Sequence, residues 1–424
     1  MDSDYLFSTP ERATLAADER GEDFYAYVAQ TWEHAQAFPI KGATQVHLTD
    51  QSDNRYLDFT SGISVMNLGL RPSKVITAIK EQLDVYTHTM IYGEHMHDSQ
   101  IRYAKALSQR FPPGANGSPQ QVFFVNSGTE AIDLALKISR RVSGKKPMVA
   151  LENGFHGRGY GSMAVSWRDE YKSGFFVDDS TTFLDPNVSP GRWADPQNWA
   201  QFGGFVLELV QGEAGCIPLD VEWVRSVVAA AQSANVPVII DEIQTGYGRT
   251  GTFSAQEQYG IHPDITCLGK AGGGGLPFGA VVSSVDNFRA LQTPPLSHIS
   301  TFGGNAVVMA AGCAVMDSMT DELFIHVQRM GNLLRTRIGE LVERYPSIIS
   351  GVRGRGLMNG LLLANSELSA PFHQACKQRG LMLFFKLNAE NVLRMSPALI
   401  ISSEQINEAV TIMDQACQDL ARRT

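Results

Sequence analysis

The stretch VPVIIDEIQTGYGRTGTFSAQEQYGIHPDITCLGK, residues 236–270, decides the fold. It opens with an apolar and largely β-branched run that ends at Asp241, which is typical of a buried parallel strand. The next apolar run, residues 265–268, ends at Gly269 and Lys270. Two strands therefore each place one ionisable residue at their carboxyl ends, and open α/β sheets bind ligands at that edge.

A carboxylate and a lysine at this edge suit the cofactor pyridoxal 5'-phosphate (PLP). The lysine forms a Schiff base with the cofactor, and the carboxylate pairs with the pyridinium nitrogen that makes the ring an electron sink. For Asp241 and Lys270 alone, a strand-end aspartate and an exposed lysine without a joint role is an equally good interpretation. The rest of the chain decides between the two.

Composition limits the classes of function. The chain has 424 residues, of which 43% are hydrophobic and 19% charged, so it can bury a large core and form more than one domain. Its formal net charge is −9 and it contains no basic block, which argues against a nucleic-acid partner or an anionic membrane surface.

Cysteine usage and the N-terminus indicate a cytoplasmic protein. The cysteines are widely spaced and form no CxxC pair, so we expect reduced thiols and no metal site: Cys216, Cys267, Cys313, Cys376 and Cys417. The first twenty residues are polar and acidic without an apolar signal core, and no run is long enough to span a bilayer.

Strands alternate with helices over residues 121–284, which predicts an α/β fold with a large, mostly parallel sheet. The predicted strands are residues 121–125, 147–151, 205–210, 236–240, 265–268 and 280–284. After Asn305 we expect one long helix over about residues 305–345, followed by α/β pieces of a smaller C-terminal domain. The predicted units are an N-terminal segment packing with the small domain (1–60), a large cofactor-binding domain (61–310) and the small domain (311–424).

Ser127, Gly128 and Thr129 lie where a predicted strand turns into a helix. Backbone N–H groups and hydroxyls at a helix N-terminus form a natural phosphate site. The alternative is an ordinary capping box between Ser127 and Glu130, and in isolation this motif favours that alternative.

Four further residues are candidates for the same edge of the sheet. Phe155 follows a strand end and is placed to stack on a flat cofactor, although a phenylalanine is more often part of the core. Arg158 suits a substrate carboxylate, although an arginine is more often a surface residue. Glu213 follows a buried-looking strand, and Arg394 is a lone charge between apolar residues, which is costly unless the charge is paired.

At this point the sequence resembles the class III PLP-dependent aminotransferases of the fold-type I superfamily, which include 4-aminobutyrate, ornithine and acetylornithine aminotransferases. Ten ordered blocks carry the resemblance across most of the chain. They are residues 56–59, 61–63, 126–131, 155–158, 211–213, 241–251, 268–270, 300–305, 352–356 and Arg394. The resemblance implies a fold-type I PLP-dependent transferase and transfer of an amino group.

The resemblance also implies the residues that hold the cofactor. Lys270 matches the Schiff-base lysine and proton shuttle, and Asp241 matches the partner of the pyridinium nitrogen. The other matches are the phosphate cradle Ser127, Gly128 and Thr129, the stacking ring Phe155, Gln244 near the 3'-oxygen, and Thr301, which reaches the phosphate of the neighbouring subunit. A homodimer or higher homo-oligomer with shared active sites follows from Thr301.

The implied substrates are an amino donor, an ω-amine of a small amino acid or diamine, and 2-oxoglutarate. Arg158 matches the arginine that holds a distal carboxylate, and Ile63 matches an aliphatic position of the 4-aminobutyrate enzymes, which disfavours free ornithine. Glu213 and Arg394 match a switch pair, in which Glu213 covers Arg394 until the α-carboxylate of 2-oxoglutarate binds. The resemblance also implies that the cofactor alternates between PLP and pyridoxamine 5'-phosphate.

Departures from the family pattern leave the donor open. The family's G-H-x-H-P is replaced by Gly69-Leu70-Arg71-Pro72, and Leu209 and Ala306 each replace a usual proline. Candidate donors include 4-aminobutyrate, acetylornithine, 2,4-diaminobutyrate, lysine and a dedicated biosynthetic intermediate. A PLP-dependent racemase, aminomutase or decarboxylase shares the Asp241/Lys270 pair and remains an alternative, as does a non-catalytic binding protein on this scaffold.

Overall fold

The computed structural model describes residues 19–31, 38–91, 93, 95–114, 117–385 and 388–422. Its largest element is a seven-stranded sheet. The strands in spatial order are Gln120–Val125, Gly279–Ser284, Ile265–Gly269, Val238–Asp241, Gly204–Leu207, Met148–Leu151 and Thr181–Leu184. All run parallel except Gly279–Ser284, which is antiparallel to both neighbours. The predicted α/β fold with a mostly parallel sheet is confirmed.

Helices pack on both faces of the large sheet and bury its apolar residues. The helices up to residue 289 are Glu19–Tyr27, Ser73–Leu83, Asp98–Ser108, Gly128–Ser143, Tyr160–Ala164, Val221–Ser233, Gln256–Tyr259 and Val285–Arg289. The strand Val238–Asp241 is buried at every position, as its β-branched sequence predicts. All five cysteines are buried as free thiols.

The helix Gly128–Ser143 shows why the sequence folds this way at the sheet edge. Its apolar positions recur at helical spacing and are buried against the sheet: Ala131, Leu134, Ala135 and Ile138. Ser127 Oγ accepts a hydrogen bond from Glu130 N at 3.2 Å, so the predicted N-cap is confirmed. The reciprocal half of the predicted capping box is wrong, because the Glu130 carboxylate accepts from Asn126 N, one residue earlier.

The C-terminal part of the chain forms a second sheet of four antiparallel strands. In spatial order they are Ile349–Arg355, Met358–Leu363, Val392–Met395 and Phe384–Phe385. The remaining helices are Ala306–Met316, Asp321–Arg344, Ser369–Gln378 and Ser403–Ala421. The single helix expected over 305–345 is wrong: Thr320 Oγ accepts from Leu323 N at 3.3 Å and caps a new helix after a break.

The N-terminal strands join this part of the molecule. Ile40–Ala43, His47–Asp50 and Arg55–Asp58 form an antiparallel meander, and Leu381–Met382 pairs parallel with Arg55–Asp58. Residues 1–18 and 32–37 of the predicted N-terminal segment lie outside the described residues. The division of the chain at residues 60 and 310 stays a prediction.

A left-handed turn follows the meander directly. Ser61, Gly62, Ile63 and Ser64 all have positive φ, between 48° and 62°. The Asp58 carboxylate fixes the turn by accepting from Thr60 N and Ser61 N at 2.7 and 3.1 Å. Non-glycine residues rarely adopt this conformation, and a β-branched residue such as Ile63 is a marked outlier there.

Within the described ranges, none of the helices combines the length and the apolarity needed to cross a bilayer.

Candidate active site

Asp241 and Lys270 lie at the same edge of the large sheet. Their strands are parallel neighbours in which Asp241 is opposite Cys267. Lys270 comes directly after the strand end at Gly269, three residues beyond Cys267, and has a left-handed conformation with φ of 45°. Burial lowers the pKa of the Lys270 amine, while the negative charges of Asp241 and Glu213 act in the opposite direction. A lysine with a lowered pKa is unprotonated more often and is a better nucleophile and base.

Asp241 is held by a buried histidine that the sequence analysis did not assign. Asp241 Oδ2 lies 2.8 Å from His156 Nδ1, and both side chains are almost fully buried. The other carboxylate oxygen accepts from Ile243 N at 3.0 Å. Burial alone disfavours a charged His156, but its hydrogen bond to Asp241 and the negative charges of Asp241 and Glu208 prevail and raise the pKa of His156.

Glu208 is a second buried group that sequence reasoning missed. Its carboxylate accepts from Phe155 N at 3.0 Å and from Gly212 N at 2.9 Å, so it ties together two loops of the site. Burial raises the pKa of this carboxyl. The signal was present in the sequence, since Glu208 interrupts the apolar run Phe205–Val210 just as Arg394 interrupts its own strand.

The start of the helix Gly128–Ser143 offers donors for an anion. In the described part of the chain the N–H groups of Gly128 and Thr129 have no acceptor, as expected for the first turn of a helix. A Cβ at Gly128 would lie 2.8 Å from the Ile243 side chain, so a larger residue there would force Ile243 to shift. The helix dipole adds positive charge at the same point.

Phe155 directly precedes His156 in the chain, Gln244 directly follows Ile243, and Thr301 lies at the surface of the chain. Gln244 is buried, its Nε2 donates to Ser64 Oγ at 3.2 Å, and a Cβ at Gly212 would lie 2.1 Å from its Oε1. Gln244 therefore joins the left-handed turn to the loop that carries Glu213. Thr301 is exposed.

Glu213 and Arg394 form a buried ion pair, although their positions are far apart in the chain. Arg394 NH2 donates to Glu213 Oε1 at 2.5 Å, and the two side chains are 2% and 9% exposed. Arg394 belongs to the strand Val392–Met395 of the C-terminal sheet. Its Nε and NH1 have no hydrogen-bond partner among the described residues, so these N–H groups of the guanidinium remain available to a ligand.

The side chains of Arg158 and Ile63 are both exposed to solvent. Arg158 Cζ lies 4.7 Å from the centroid of the Phe155 ring and 4.2 Å from that of Tyr171, a residue that sequence reasoning also missed. Ile63 is 42% exposed in the left-handed turn. The Glu213 charge acts on Arg158, so the structure brings the candidate carboxylate-binding groups into one region.

Comparison with known proteins identifies the family. The model of the aminotransferase class-III family matches residues 28–189 and 195–417. The chain belongs to the class III aminotransferases. It is 33% identical over 383 residues to the acetylornithine aminotransferase of Lactiplantibacillus plantarum, covering 89% of this chain and 92% of that one. It is 34% identical over 388 residues to that of Listeria monocytogenes serotype 4b, covering 90% and 95%.

Solved structures of class III aminotransferases have the same fold. The ornithine aminotransferase of Toxoplasma gondii superposes with a TM-score of 0.86 at 26% identity, covering 97% of each chain. The acetylornithine aminotransferase of Elizabethkingia anophelis gives a TM-score of 0.80 at 26% identity, covering 94% of this chain and 98% of that one. The predicted fold-type I architecture and PLP-dependent aminotransferase activity are confirmed.

The residues at the sheet edge fit PLP, the cofactor of the family. A carboxylate backed by His156 suits a ring nitrogen, a lysine with a lowered pKa suits an aldehyde, and free N–H groups at a helix N-terminus suit a phosphate. The individual roles of these residues remain predictions.

Proposed function

We propose that this aminotransferase moves the side-chain amine of acetylornithine to 2-oxoglutarate, giving glutamate and an aldehyde. The observation that carries the proposal is the buried Glu213–Arg394 pair, because a covered arginine suits an enzyme whose two substrates differ in whether they present an α-carboxylate to it. The acetylornithine aminotransferases that match nine-tenths of the chain support this donor.

Residues at the sheet edge and at the helix N-terminus would hold the cofactor and move protons. PLP, when bound, supplies an aldehyde that takes up the amino group and a pyridinium ring that accepts electrons. Asp241, oriented by His156, would keep a proton on the ring nitrogen, and Gly128 N and Thr129 N would hold the phosphate. Lys270 Nζ would remove the proton from the amine-bearing carbon of the donor as general base, and in the second half of the cycle it would deliver a proton as general acid to the carbon of 2-oxoglutarate that becomes the α-carbon of glutamate.

The substrate groups have separate tasks. While the donor is bound, Glu213 neutralises Arg394, so the donor's side-chain end can approach without an unpaired buried cation beside it. When 2-oxoglutarate arrives, its α-carboxylate replaces Glu213 on Arg394, and its distal carboxylate binds the fork of Arg158. Ile63 contributes an apolar wall, which suits an acylated or uncharged donor better than a second free ammonium group.

We also propose a homodimer with shared active sites, in which Thr301 of each subunit reaches the phosphate site of the other. Thr301 is exposed in the single chain, and the large apolar residue Phe302 beside it is 59% exposed. A monomeric mass of the holoenzyme in solution would contradict this proposal.

The donor is tested by giving the holoenzyme acetylornithine, ornithine and 4-aminobutyrate in turn, each with 2-oxoglutarate, and measuring glutamate formation. We expect the highest kcat/KM with acetylornithine, and no glutamate when 2-oxoglutarate is omitted. A higher kcat/KM with ornithine or 4-aminobutyrate would overturn the proposed donor. Absence of glutamate with every donor would overturn the acceptor as well.

A further inference from the structure

The guanidinium of Arg158 lies over the faces of two aromatic rings. Its Cζ is 4.7 Å from the Phe155 centroid and 4.2 Å from the Tyr171 centroid, so Tyr171 is the nearer of the two. Ring faces attract a cation without using up its N–H donors. Among the described residues no hydrogen bond to the Arg158 side chain occurs, so its planar fork remains available to a carboxylate.

Tyr171 is itself fixed by the fold. It closes the 3-10 turn Asp169–Tyr171, and Lys172 N and Ser173 N both donate to Asp169 O, at 2.9 and 3.0 Å. Just before this turn, Trp167 N donates to Gly154 O at 3.0 Å. The segment that carries Tyr171 is therefore hydrogen-bonded to the loop that carries Phe155. This bond helps to fix the positions of the two rings relative to each other.

A negative charge acts on Arg158 in addition to the two rings. Glu213 is close enough for its negative charge to act on Arg158, and Glu213 already pairs with Arg394. If the Arg158 side chain moved to Glu213, one carboxylate would engage both arginines, and neither would be ready for a substrate. A residue that restrains Arg158 thus affects carboxylate binding without contacting the substrate.

We infer that Tyr171 is a positioning residue that holds Arg158 for the distal carboxylate of a dicarboxylic substrate, and so helps to select such substrates. The inference rests on the proposed function, in which Arg158 binds that carboxylate. It predicts that the aromatic face of Tyr171 matters and that its hydroxyl does not, because Arg158 lies over the ring.

The test compares Tyr171→Leu and Tyr171→Phe holoenzymes with the wild type. The readouts are the Kd of glutarate, a dicarboxylate with no group to react, by calorimetry, and kcat and KM for 2-oxoglutarate. For Tyr171→Leu we expect the Kd and KM to rise about tenfold, the equivalent of about 1.4 kcal/mol, at nearly constant kcat. Tyr171→Phe should restore both constants. Phe176→Leu is the control, since Phe176 is 96% exposed in the same region.

A double variant tests whether Tyr171 acts through Arg158. Glutarate should bind Arg158→Ala and Arg158→Ala/Tyr171→Leu equally weakly, whereas additive losses would contradict the inference. It is also wrong if Tyr171→Leu leaves the Kd unchanged, if Tyr171→Phe weakens binding as much as Tyr171→Leu does, or if the wild type does not bind glutarate.

These outcomes are separable from a failure of the proposed function. Wild-type enzyme that binds glutarate but forms no glutamate from 2-oxoglutarate would overturn the proposed acceptor, while the glutarate constants would still decide the role of Tyr171. Wild-type enzyme that forms glutamate, with unchanged constants in Tyr171→Leu, would overturn the inference alone.

Discussion

Asp241 and Lys270 stand at the ends of neighbouring buried strands, whereas Ile63 and Arg158 lie in segments outside every sheet. The first pair takes its positions from a register of parallel strands, with Asp241 buried and Lys270 partly buried. The second pair takes its positions from a left-handed turn and from two aromatic rings. In the proposed function, the chemistry that all donors share is therefore placed on the sheet, and the groups that meet a particular substrate are placed in loops, where the chain can vary.

The pair Glu213 and Arg394 lies between these two kinds of structure. Arg394 belongs to a regular strand of the C-terminal sheet, whereas Glu213 lies in the turn between Val210–Gln211 and Ile217–Pro218, so the ion pair joins that sheet to a loop. It is also nearly buried, which makes it costly to break from one side only. Substitutions on the sheet edge, at this bridge and in the turn should therefore differ in both the size and the kind of their effects.

The largest effect is expected at the sheet edge. Lys270→Ala should lower kcat at least about 10⁴-fold, because it removes both the covalent attachment point and the general base. The measurement is glutamate formation by the purified, PLP-supplemented variant, together with its visible absorption spectrum, which should lack the band of the lysine-linked cofactor.

Lys146→Ala is the matched control for this variant. Lys146 is exposed at the surface, so its removal should leave turnover and spectrum unchanged. Normal transamination by Lys270→Ala would show that the sheet edge does not carry the chemistry, and the contrast between the two regions would disappear.

An intermediate effect is expected at the bridge. In Glu213→Gln the arginine Arg394 keeps its charge but loses its anionic partner, so the free energy of unfolding should fall by about 3 kcal/mol. The uncovered arginine favours substrates that present an α-carboxylate, so kcat/KM should fall about tenfold or more for acetylornithine and much less for glutamate. Thermal unfolding and half-reaction kinetics measure the two quantities.

The exposed pair Glu222 and Arg225 provides the comparison, with side chains 78% and 48% exposed. Glu222→Gln should change the stability by less than about 1 kcal/mol and leave both kcat/KM values unaffected. Equal losses for acetylornithine and glutamate in Glu213→Gln would show a general structural role and no switch.

The difference between the two regions also explains what the sequence could predict. The strand-end positions of Asp241 and Lys270 follow from short apolar runs, because parallel strands deliver their carboxyl ends to one edge. Glu208 was within reach of the same reasoning that found Arg394, since both are lone charges in apolar runs. Tyr171 gave no such signal, because its contact with Arg158 depends on how two loops pack.

The sequence predicted the structure least well at a break between two helices and at the left-handed turn. The break between Ala306–Met316 and Asp321–Arg344 is set by the Thr320 cap, which competes with helical continuation through one side-chain hydrogen bond. The positive φ values of Ser61, Ile63 and Ser64 are held by Asp58 and by the contact of Ser64 with Gln244. No residue-type preference predicts that an isoleucine adopts a left-handed conformation.

The smallest effect is expected at this turn, and its sign should oppose that of the others. A left-handed conformation costs a non-glycine residue about 1–2 kcal/mol, and Ile63 is 42% exposed, so little packing is lost when its side chain is removed. Ile63→Gly should therefore raise the free energy of unfolding by about 1 kcal/mol. The backbone strain that glycine relieves in the folded protein exceeds the stability lost because the unfolded chain becomes more flexible.

The same variant should discriminate less well between acetylornithine and ornithine, because it lacks the apolar wall of the donor site. Val142→Gly is the matched control: Val142 is 45% exposed in the right-handed helix Gly128–Ser143, where glycine should instead lower the stability by about 0.5 kcal/mol. A gain in stability together with a loss of selectivity would mean that the protein maintains strain at Ile63 for the sake of its substrate. A loss of stability in Ile63→Gly would mean that the turn is relaxed and that its left-handed form is simply what the surrounding contacts favour.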